Sequence, residues 1–353
     1  MRSWMTKSFS KVSGFLLAVL LAGCAAQTPE PGARRTLTVL THDSFAVSDE
    51  VVAAFEAEHN ADVVFLKGGD AGTALNKALL TSQPYADVFY GVDNAFLSRA
   101  IEEHLFEPYE SPLLADIPDE FELDPEHGAL PVDYGDVCIN ADLAWFEERG
   151  LALPASLDDL LKPEYAGLLV VENPAASSPG MAFLLATIGH YGEDGYLEFW
   201  NALVDNEVKV VNDWETAYYT DFSRWGGQYP LAVSYASSPP FEVLFAEEPL
   251  DTPPTAALTG DGMCFRQIEF VGIVRGAPER ELAEAWIDFM LSPQFQEDIP
   301  LQMFVFPVNT NAALDPAFVA FLQEPENPAF VSPADIAAHR EEWIEAWRAV
   351  VLR

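Results

Sequence analysis

The feature that most constrains the fold is an alternation of strand-like and helix-like segments that begins after residue 35. Runs rich in β-branched residues at 36–41, 61–66 and 86–90 are each followed by a segment with apolar residues at helical spacing. Strands that alternate with helices at this spacing form a parallel sheet with helices on both faces. The alternation resumes beyond residue 150, and 353 residues exceed one typical domain. We therefore predict an α/β protein with two lobes.

The first 24 residues have the pattern of a targeting segment. Three basic residues precede an apolar run at 15–21, and Ala-Gly precedes Cys24. The segment is too short for a stable membrane-spanning helix. Its Leu-Ala-Gly-Cys ending resembles the lipobox of bacterial lipoproteins, whose cysteine becomes the lipidated amino terminus. We predict a lipoprotein signal peptide over 1–24, lipidation at Cys24 and a tether over 25–35, with a simple secretory signal as the alternative.

The charge of the chain excludes several classes of partner. Its 56 acidic and 18 basic residues give a formal net charge of −38. Such a chain is a poor partner for nucleic acid or for an anionic membrane surface. The acidic balance fits a cationic ligand, although a solubilising acidic surface has the same composition.

Two cysteines remain after the targeting segment, Cys138 and Cys264. In an oxidising compartment two thiols predict one disulfide. The alternative is a free nucleophilic thiol at Cys138, but the neighbouring Asp136 disfavours a reactive thiolate. The sequence shows no acid/base pair, zinc-ligand spacing or nucleophile elbow, so we predict a protein that is not an enzyme and that carries no metal or cofactor.

Polar and aromatic residues cluster where the predicted strands end, which is where ligands bind in such sheets. A stretch at 214–219 combines three aromatic residues with acidic neighbours, and a second at 235–239 reads Tyr-Ala-Ser-Ser-Pro. Aromatic faces attract a flat cation, and hydroxyl groups orient it. The alternatives are that these rings are ordinary core residues, that the serines at 177–178 cap a helix, and that the glycines at 68–72 form a tight turn.

Seven ordered blocks make the chain similar to a known family, the thiamine-binding substrate-binding proteins of bacterial ABC transporters. Examples are Trp-Glu-Thr-Ala-Tyr at 214–218 and Ser-Tyr-Ala-Ser-Ser-Pro at 234–239. The other blocks lie at 37–45, 133–135, 177–180, 292–300 and 332–338.

The resemblance implies a two-lobed type II periplasmic-binding-protein fold. Each lobe would hold a mixed, mostly parallel sheet flanked by helices, with the ligand in the cleft between the lobes. We predict a first lobe over 36–134, a second lobe over 135–263, and a return to the first lobe with carboxyl-terminal helices over 264–353.

The resemblance also implies the residues of the ligand site. Carried onto this sequence, they are Asp43, Asp70, Ala71, Ser177, Ser178, Trp214, Tyr218, Tyr235, Ala236, Ser237, Ser238, Pro239 and Phe304. Three positions depart from the family pattern: Phe304 stands where the family often has Trp, and Phe241 and His42 stand where it has Tyr.

The implied function is that of a monomeric, extracytoplasmic receptor for thiamine or its phosphates. The receptor would pass its ligand to an ABC permease driven by a separate ATPase, and would contact the membrane only through its lipid anchor. Two alternatives remain open at this point. One is a ferric-iron-binding transport protein that uses Tyr218 and Tyr219, and the other is a thiaminase-like enzyme that uses Cys138.

Overall fold

A computed structural model of the protein describes residues 34–81 and 84–352. The predicted signal peptide over 1–24, the predicted lipidation at Cys24 and most of the predicted tether over 25–35 lie outside these residues. Within the described part of the chain, none of the helices combines the length and the apolar character needed to cross a membrane.

Eleven strands of the described chain pair into one curled sheet, in which two parallel sections flank two long antiparallel strands. The strands are β1 (Arg35–Thr41), β2 (Ala61–Lys67), β3 (Val88–Asp93), β4 (Phe106–Glu107), β5 (Leu130–Asp142), β6 (Leu169–Glu172), β7 (Lys209–Val211), β8 (Leu231–Tyr235), β9 (Thr255–Leu258), β10 (Phe265–Val274) and β11 (Phe306–Pro307). β1 is parallel to β2 and β3, and β6 is parallel to β7 and β8. β10 and β5 run antiparallel to each other and to their neighbours β3 and β8, so they join the two sections.

Helices cover both sections of the sheet. They are α1 (Asp49–His59), α2 (Ala71–Leu80), α3 (Leu97–Glu102), α4 (Leu143–Arg149), α5 (Ser178–Tyr191), α6 (Tyr196–Asp205), α7 (Ser238–Leu244), α8 (Arg280–Leu291), α9 (Pro293–Gln296), α10 (Ile299–Met303), α11 (Pro316–Phe321) and α12 (Pro333–Val351). The last helix packs against α6 of the second section and α3 of the first. The strand–helix alternation predicted from the sequence is therefore confirmed. The segment Leu157–Leu161 forms a short 3₁₀ helix.

Large buried aromatic side chains form the core on both sides. Phe55 packs edge-on against Trp286 in the first section, and Trp200 packs edge-on against Trp347 in the second. Burying one such side chain stabilises the fold by roughly 1.5–3 kcal/mol. Trp343, four residues before Trp347, is also buried, which confirms the predicted core face of α12.

A disulfide joins Cys138 in β5 to Cys264, the residue that precedes β10. Both cysteines are buried, and 126 positions separate them in the sequence. The predicted pairing is confirmed. The alternative of a free Cys138 nucleophile is wrong for this structure, because the sulfur is already bonded.

The predicted lobe boundaries lie at the two long strands. The boundary after residue 134 falls inside β5, and the boundary after residue 263 falls just before β10. β5 pairs with β10 through its first half and with β8 of the second section through its second half, so a single residue does not divide it. The boundaries therefore stay predictions.

Candidate functional site

A cavity of about 160 Å³ opens where several strands and helices end. Its lining contains an aromatic group, which we call the aromatic wall and which consists of Trp214, Tyr219, Tyr235 and Phe304. It also contains a charged group, which we call the charged wall and which consists of His42, Asp70 and Glu269. His42 follows β1, Asp70 follows β2 and precedes α2, Trp214 follows β7, and Tyr235 ends β8. The cavity therefore lies where the alternating pattern predicts a ligand.

Trp214 organises the aromatic wall. Its ring stacks on Tyr218 with centroids 5.3 Å apart and planes 14° apart, and it meets Tyr219 nearly at a right angle. The indole Nε1 donates to Ser234 Oγ at 3.0 Å. Trp214 is 8% exposed and lines the cavity, so it is not sealed inside a lobe. A π-helical turn over Thr216–Asp221 accompanies this arrangement of rings.

Tyr218 lies behind this wall and does not line the cavity. Its hydroxyl donates to Glu242 Oε1 at 2.6 Å. Burial and the charge of Glu242 raise the pKa of Tyr218 well above its ordinary value. The phenol is therefore a buried support for Trp214, which disfavours the alternative in which Tyr218 and Tyr219 together bind ferric iron.

Phe304 reaches the cavity through a left-handed backbone conformation with φ of 63°. Such a conformation costs on the order of 1–3 kcal/mol for a residue with a side chain, and it is often found at ligand sites. The hydroxyl of Ser237 donates to the carbonyl oxygen of Phe304. The Phe304 ring also packs at 4.1 Å from the ring of Phe241. Phe304 and Phe241, two of the positions expected from the resemblance to depart from the family pattern, are therefore in contact.

The charged wall is built on a cross-strand row of acids. Glu269 of β10 lies in register with Asp93 of β3 on one side and with Asp133 of β5 on the other. All three side chains are buried. Like charges directly opposite one another destabilise a sheet, so a row of this kind requires protons or cations.

The pKa values of these acids follow from burial and from their neighbours. Burial, reinforced by the charge of Glu269, raises the pKa of Asp133 well above its ordinary value. Burial also raises the pKa of Asp93 to about 7, although a hydrogen bond from the Ser178 hydroxyl opposes the shift. Burial alone would raise the pKa of Glu269, but the charge of His42 and the hydrogen bond from Tyr90 lower it below its ordinary value. Glu269 is therefore the charged member of the row.

Asp70 connects the charged wall to the aromatic wall. Its carboxylate caps α2 by accepting from the backbone N–H of Ala71 at 2.9 Å, and it also accepts from the backbone N–H of Trp214 at 3.4 Å. Burial raises the pKa of Asp70, and the charge of His42 and the two backbone hydrogen bonds oppose that shift. The predicted Asp70 and Trp214 are thus brought together although 144 positions separate them.

The structure divides the predicted ligand residues into two groups. Those that line the cavity are Asp70, Ser178, Trp214, Tyr235 and Phe304. Those that do not line it are Asp43, Ala71, Ser177, Tyr218, Ala236, Ser237, Ser238 and Pro239. Several of the second group support the first. The Asp43 carboxylate accepts from the backbone N–H of Gly69 at 2.9 Å and fixes the turn before Asp70, and Ser238 Oγ lies 3.0 Å from Ser234 Oγ.

Sequence reasoning missed Glu215, Glu269, Gln302, Met303 and Val305, all of which line the cavity. One signal was available for Glu269, which is the lone acid in the otherwise mostly apolar β10. A buried carboxylate in a central strand needs a partner, and a functional site often supplies it. The residues at 302–305 carry no comparable signal.

Among residues 34–81 and 84–352, no group of three or more histidine, cysteine, aspartate or glutamate side chains is arranged to hold a metal ion.

The chain is similar to proteins of known class over most of its length. The family described as bacterial extracellular solute-binding protein matches residues 83–323. The thiamine-binding periplasmic protein of Escherichia coli is 31% identical, over 91% of this chain and 95% of that protein. A solved structure of a periplasmic thiamin binding protein superposes with a TM-score of 0.80 at 28% identity, over 91% of this chain and 97% of that one.

A more distant relative belongs to the iron-binding alternative. Iron uptake protein A1 of Synechocystis is 23% identical, over 86% of this chain and 85% of that protein.

These similarities confirm the predicted two-lobed periplasmic-binding-protein fold and the resemblance on which it rests. They also explain why a cleft with two unlike walls lies at the ends of the strands. The chain belongs to the family of bacterial extracellular solute-binding proteins.

Proposed function

We propose that the protein is an extracytoplasmic receptor that captures thiamine or one of its phosphates and delivers it to an ABC permease. The observation that carries the proposal is the pairing of an aromatic wall with a charged wall around one cavity. Relatives named for thiamine binding, found over more than nine-tenths of the chain, support the same ligand.

The chemistry of thiamine suits both walls. Its thiazolium ring carries a positive charge and its aminopyrimidine is flat, so both rings can lie against Trp214, Tyr219 and Tyr235. A cation over an aromatic face gains about 0.5–2 kcal/mol, with the larger value where water is excluded. Glu269 offers the compensating negative charge, and Asp70 also lines the cavity. The net charge of −38 adds long-range attraction for a cation.

Polar groups in the cavity lining suit the polar tail of the ligand. Ser44 and Ser178 line the cavity, and Ser178 begins α5, where backbone N–H groups point outward. A hydroxyethyl group or a phosphate could accept hydrogen bonds there. The proposal therefore includes thiamine phosphates as ligands.

The fold provides the means of delivery. A ligand that contacts both halves of a hinged protein shifts the equilibrium toward the closed form. The closed monomer would then dock on a permease driven by a separate ATPase. We further propose that Cys24 anchors the chain to the membrane through lipid, that the body makes no other membrane contact, and that the protein catalyses no reaction.

Ligand titration tests the proposal directly. Intrinsic tryptophan fluorescence and calorimetry on ligand-stripped protein should show saturable binding of thiamine or its phosphates, because Trp214 lines the cavity. Hydroxymethylpyrimidine lacks the cationic ring, so it should bind more weakly. Absence of heat with every thiamine compound would overturn the proposal, and a coloured complex with ferric citrate would favour the iron-binding alternative.

A further inference from the structure

The buried row of acids that includes Glu269 holds a proton beside Tyr90. The hydroxyl oxygen of Tyr90 lies 2.6 Å from Asp133 Oδ2 and 2.9 Å from Glu269 Oε2. A phenol has one proton and can donate it to only one of these oxygens. The other short contact is a hydrogen bond only if a carboxyl group brings a proton of its own. Because Glu269 also faces the imidazole of His42 at 3.6 Å, Glu269 is the carboxylate and Asp133 holds that proton.

His42 supplies the positive charge opposite this carboxylate. Its Nε2 lies 3.6 Å from Glu269 Oε1, and both side chains line the cavity while remaining more than nine-tenths buried. The imidazole packs on Gly91, where an added Cβ would come within 2.4 Å of the ring. This close packing holds the ring beside Glu269.

The other charged and titratable groups around His42 come from four elements. Asp70 faces it from the start of α2, and its negative charge raises the pKa of His42. The charge of Lys67, at the end of β2, lowers that pKa. Lys67 is engaged elsewhere, because its Nζ donates to the carbonyl oxygens of Asp43 and Phe45. Tyr90 of β3 lies beside the His42 ring, and Asp133 of β5 lies behind Tyr90.

We propose that His42 is a resident counter-cation to Glu269, and that a cationic ligand binds by displacing the proton of His42. The step is balanced: protonated His42 and the ligand cation give neutral His42, the bound cation and one proton released to solvent. The inference rests on the proposed function, since it requires a cationic ligand in this cavity.

Electrostatics supports an exchange of this kind. In a water-poor cavity two cations beside one carboxylate repel each other strongly, so the more labile positive charge is lost. Burial would lower the pKa of His42, but the charges of Glu269 and Asp70 raise it above its ordinary value of 6.5. The histidine therefore keeps its proton to a higher pH than a free imidazole does, until the ligand arrives.

The exchange predicts how ligand affinity changes with pH. Below the pKa of His42 each bound cation must expel a proton, so affinity falls by up to about tenfold for each unit of decrease in pH. Above that pKa the site is already free of the proton and affinity levels off.

Calorimetry of thiamine binding in buffers with different ionisation enthalpies measures the released proton. We expect release of up to one proton at pH values below the pKa of His42, and a fall toward zero above it. His42→Gln should abolish the release and flatten the pH profile. His339→Gln, which changes an exposed histidine on α12, should leave both unchanged. A neutral thiophene analogue of thiamine should bind without proton release.

Each outcome decides one question. If the wild-type protein binds thiamine with no proton release at any pH, the inference is overturned and the proposed function stands. If thiamine does not bind at all, the proposed function itself fails. If His42→Gln still releases the proton and Asp133→Asn does not, the proton comes from Asp133 and the assignment to His42 is wrong. Should a variant fail to fold, the wild-type buffer series still decides whether a proton is exchanged.

Discussion

The two walls of the cavity are assembled in different ways. In the aromatic wall, Trp214 and Tyr219 come from one short segment and rest on Tyr218 of that segment, and Tyr235 and Phe304 join them from elsewhere in the chain. In the charged wall, His42, Asp70 and Glu269 come from three distant parts of the chain, and strand register sets Glu269 opposite Asp93. A stacked ring tolerates small displacements of a ligand, whereas buried charges depend strongly on distance. We infer that the aromatic wall holds a flat ligand by stacking and that the charged wall selects a ligand with a positive charge.

The largest expected effect tests whether the charged wall selects cations. Glu269→Gln removes the negative charge while preserving the shape of the side chain and its contact with Tyr90. Truncating one partner of a buried charge interaction costs about 2–5 kcal/mol of binding. Calorimetry with thiamine at about pH 8 should show a loss in this range.

A matched variant separates the effect of the Glu269 charge on binding from a general loss of stability. Asp288→Asn neutralises an acid that accepts hydrogen bonds from Tyr109 and Ser111, far from the cavity. Its thiamine affinity should match that of the wild type. Equal affinities for Glu269→Gln and the wild type would show that the aromatic wall alone binds the ligand.

The second prediction concerns the contact between the two halves of the sheet, where Asp93 of β3 accepts a hydrogen bond from Ser178 of α5. The folded-state pKa of about 7 lies above the ordinary value of 3.8. The folded chain therefore binds more protons than the unfolded chain between these values, and the free energy of unfolding falls as pH rises through them. Asp93→Asn should remove this loss and be more stable than the wild type by up to about 4 kcal/mol at pH ~8.

Urea unfolding at several pH values measures this difference. The advantage of Asp93→Asn should shrink as the pH falls from about 8 to about 5. Ser178→Ala removes a hydrogen bond that lowers the pKa of Asp93, so its stability should keep falling to a higher pH than that of the wild type. Parallel stability curves for Asp93→Asn and the wild type would contradict the assignment.

The two walls also differ in how far sequence predicted them. Trp214 and Tyr235 were found because they follow strand-like runs and carry distinctive neighbours. Glu269 was not found, because its role depends on the register that sets it opposite Asp93 and Asp133. Register between strands distant in the sequence is set by the whole sheet and leaves little local trace.

The same distinction applies to the secondary structure: elements with local sequence signals were predictable, and those without such signals were not. Strand β1 was predicted from the local pattern at 36–41, and the structure confirms it. Helix α12 likewise begins at a local capping signal, because the Ser332 hydroxyl accepts from the backbone N–H of Asp335. The π-helical turn over Thr216–Asp221 was not predicted, because such turns have no simple sequence signature. That turn lies in the segment whose rings form the aromatic wall.

The third prediction tests whether the aromatic wall binds the ligand by stacking. Trp214→Ala removes the largest ring of the wall and should cost on the order of 1–3 kcal/mol of thiamine binding. Trp214→Phe keeps a ring but loses the hydrogen bond to Ser234, so a smaller loss is expected. Calorimetry provides the comparison.

Trp145→Ala is the control for this substitution. Trp145 is half-buried and packs against the Arg149 guanidinium away from the cavity. Its loss should leave thiamine affinity unchanged. An unaltered affinity in Trp214→Ala would place the ligand elsewhere.

The smallest expected effect tests whether the aromatic wall binds the ligand through its ring faces alone. The Tyr235 hydroxyl accepts a hydrogen bond from Gln267 Nε2 at 3.1 Å, and its ring lines the cavity. Tyr235→Phe removes that bond and should cost about 0.5–1.5 kcal/mol in calorimetric titration with thiamine. Tyr165→Phe, which deletes a hydroxyl bonded to the backbone of Ala152 far from the cavity, should leave affinity unchanged. A loss in Tyr235→Phe as large as that in Trp214→Ala would mean that the aromatic wall also recognises the ligand by polar contacts, and the division of labour between the two walls would fail.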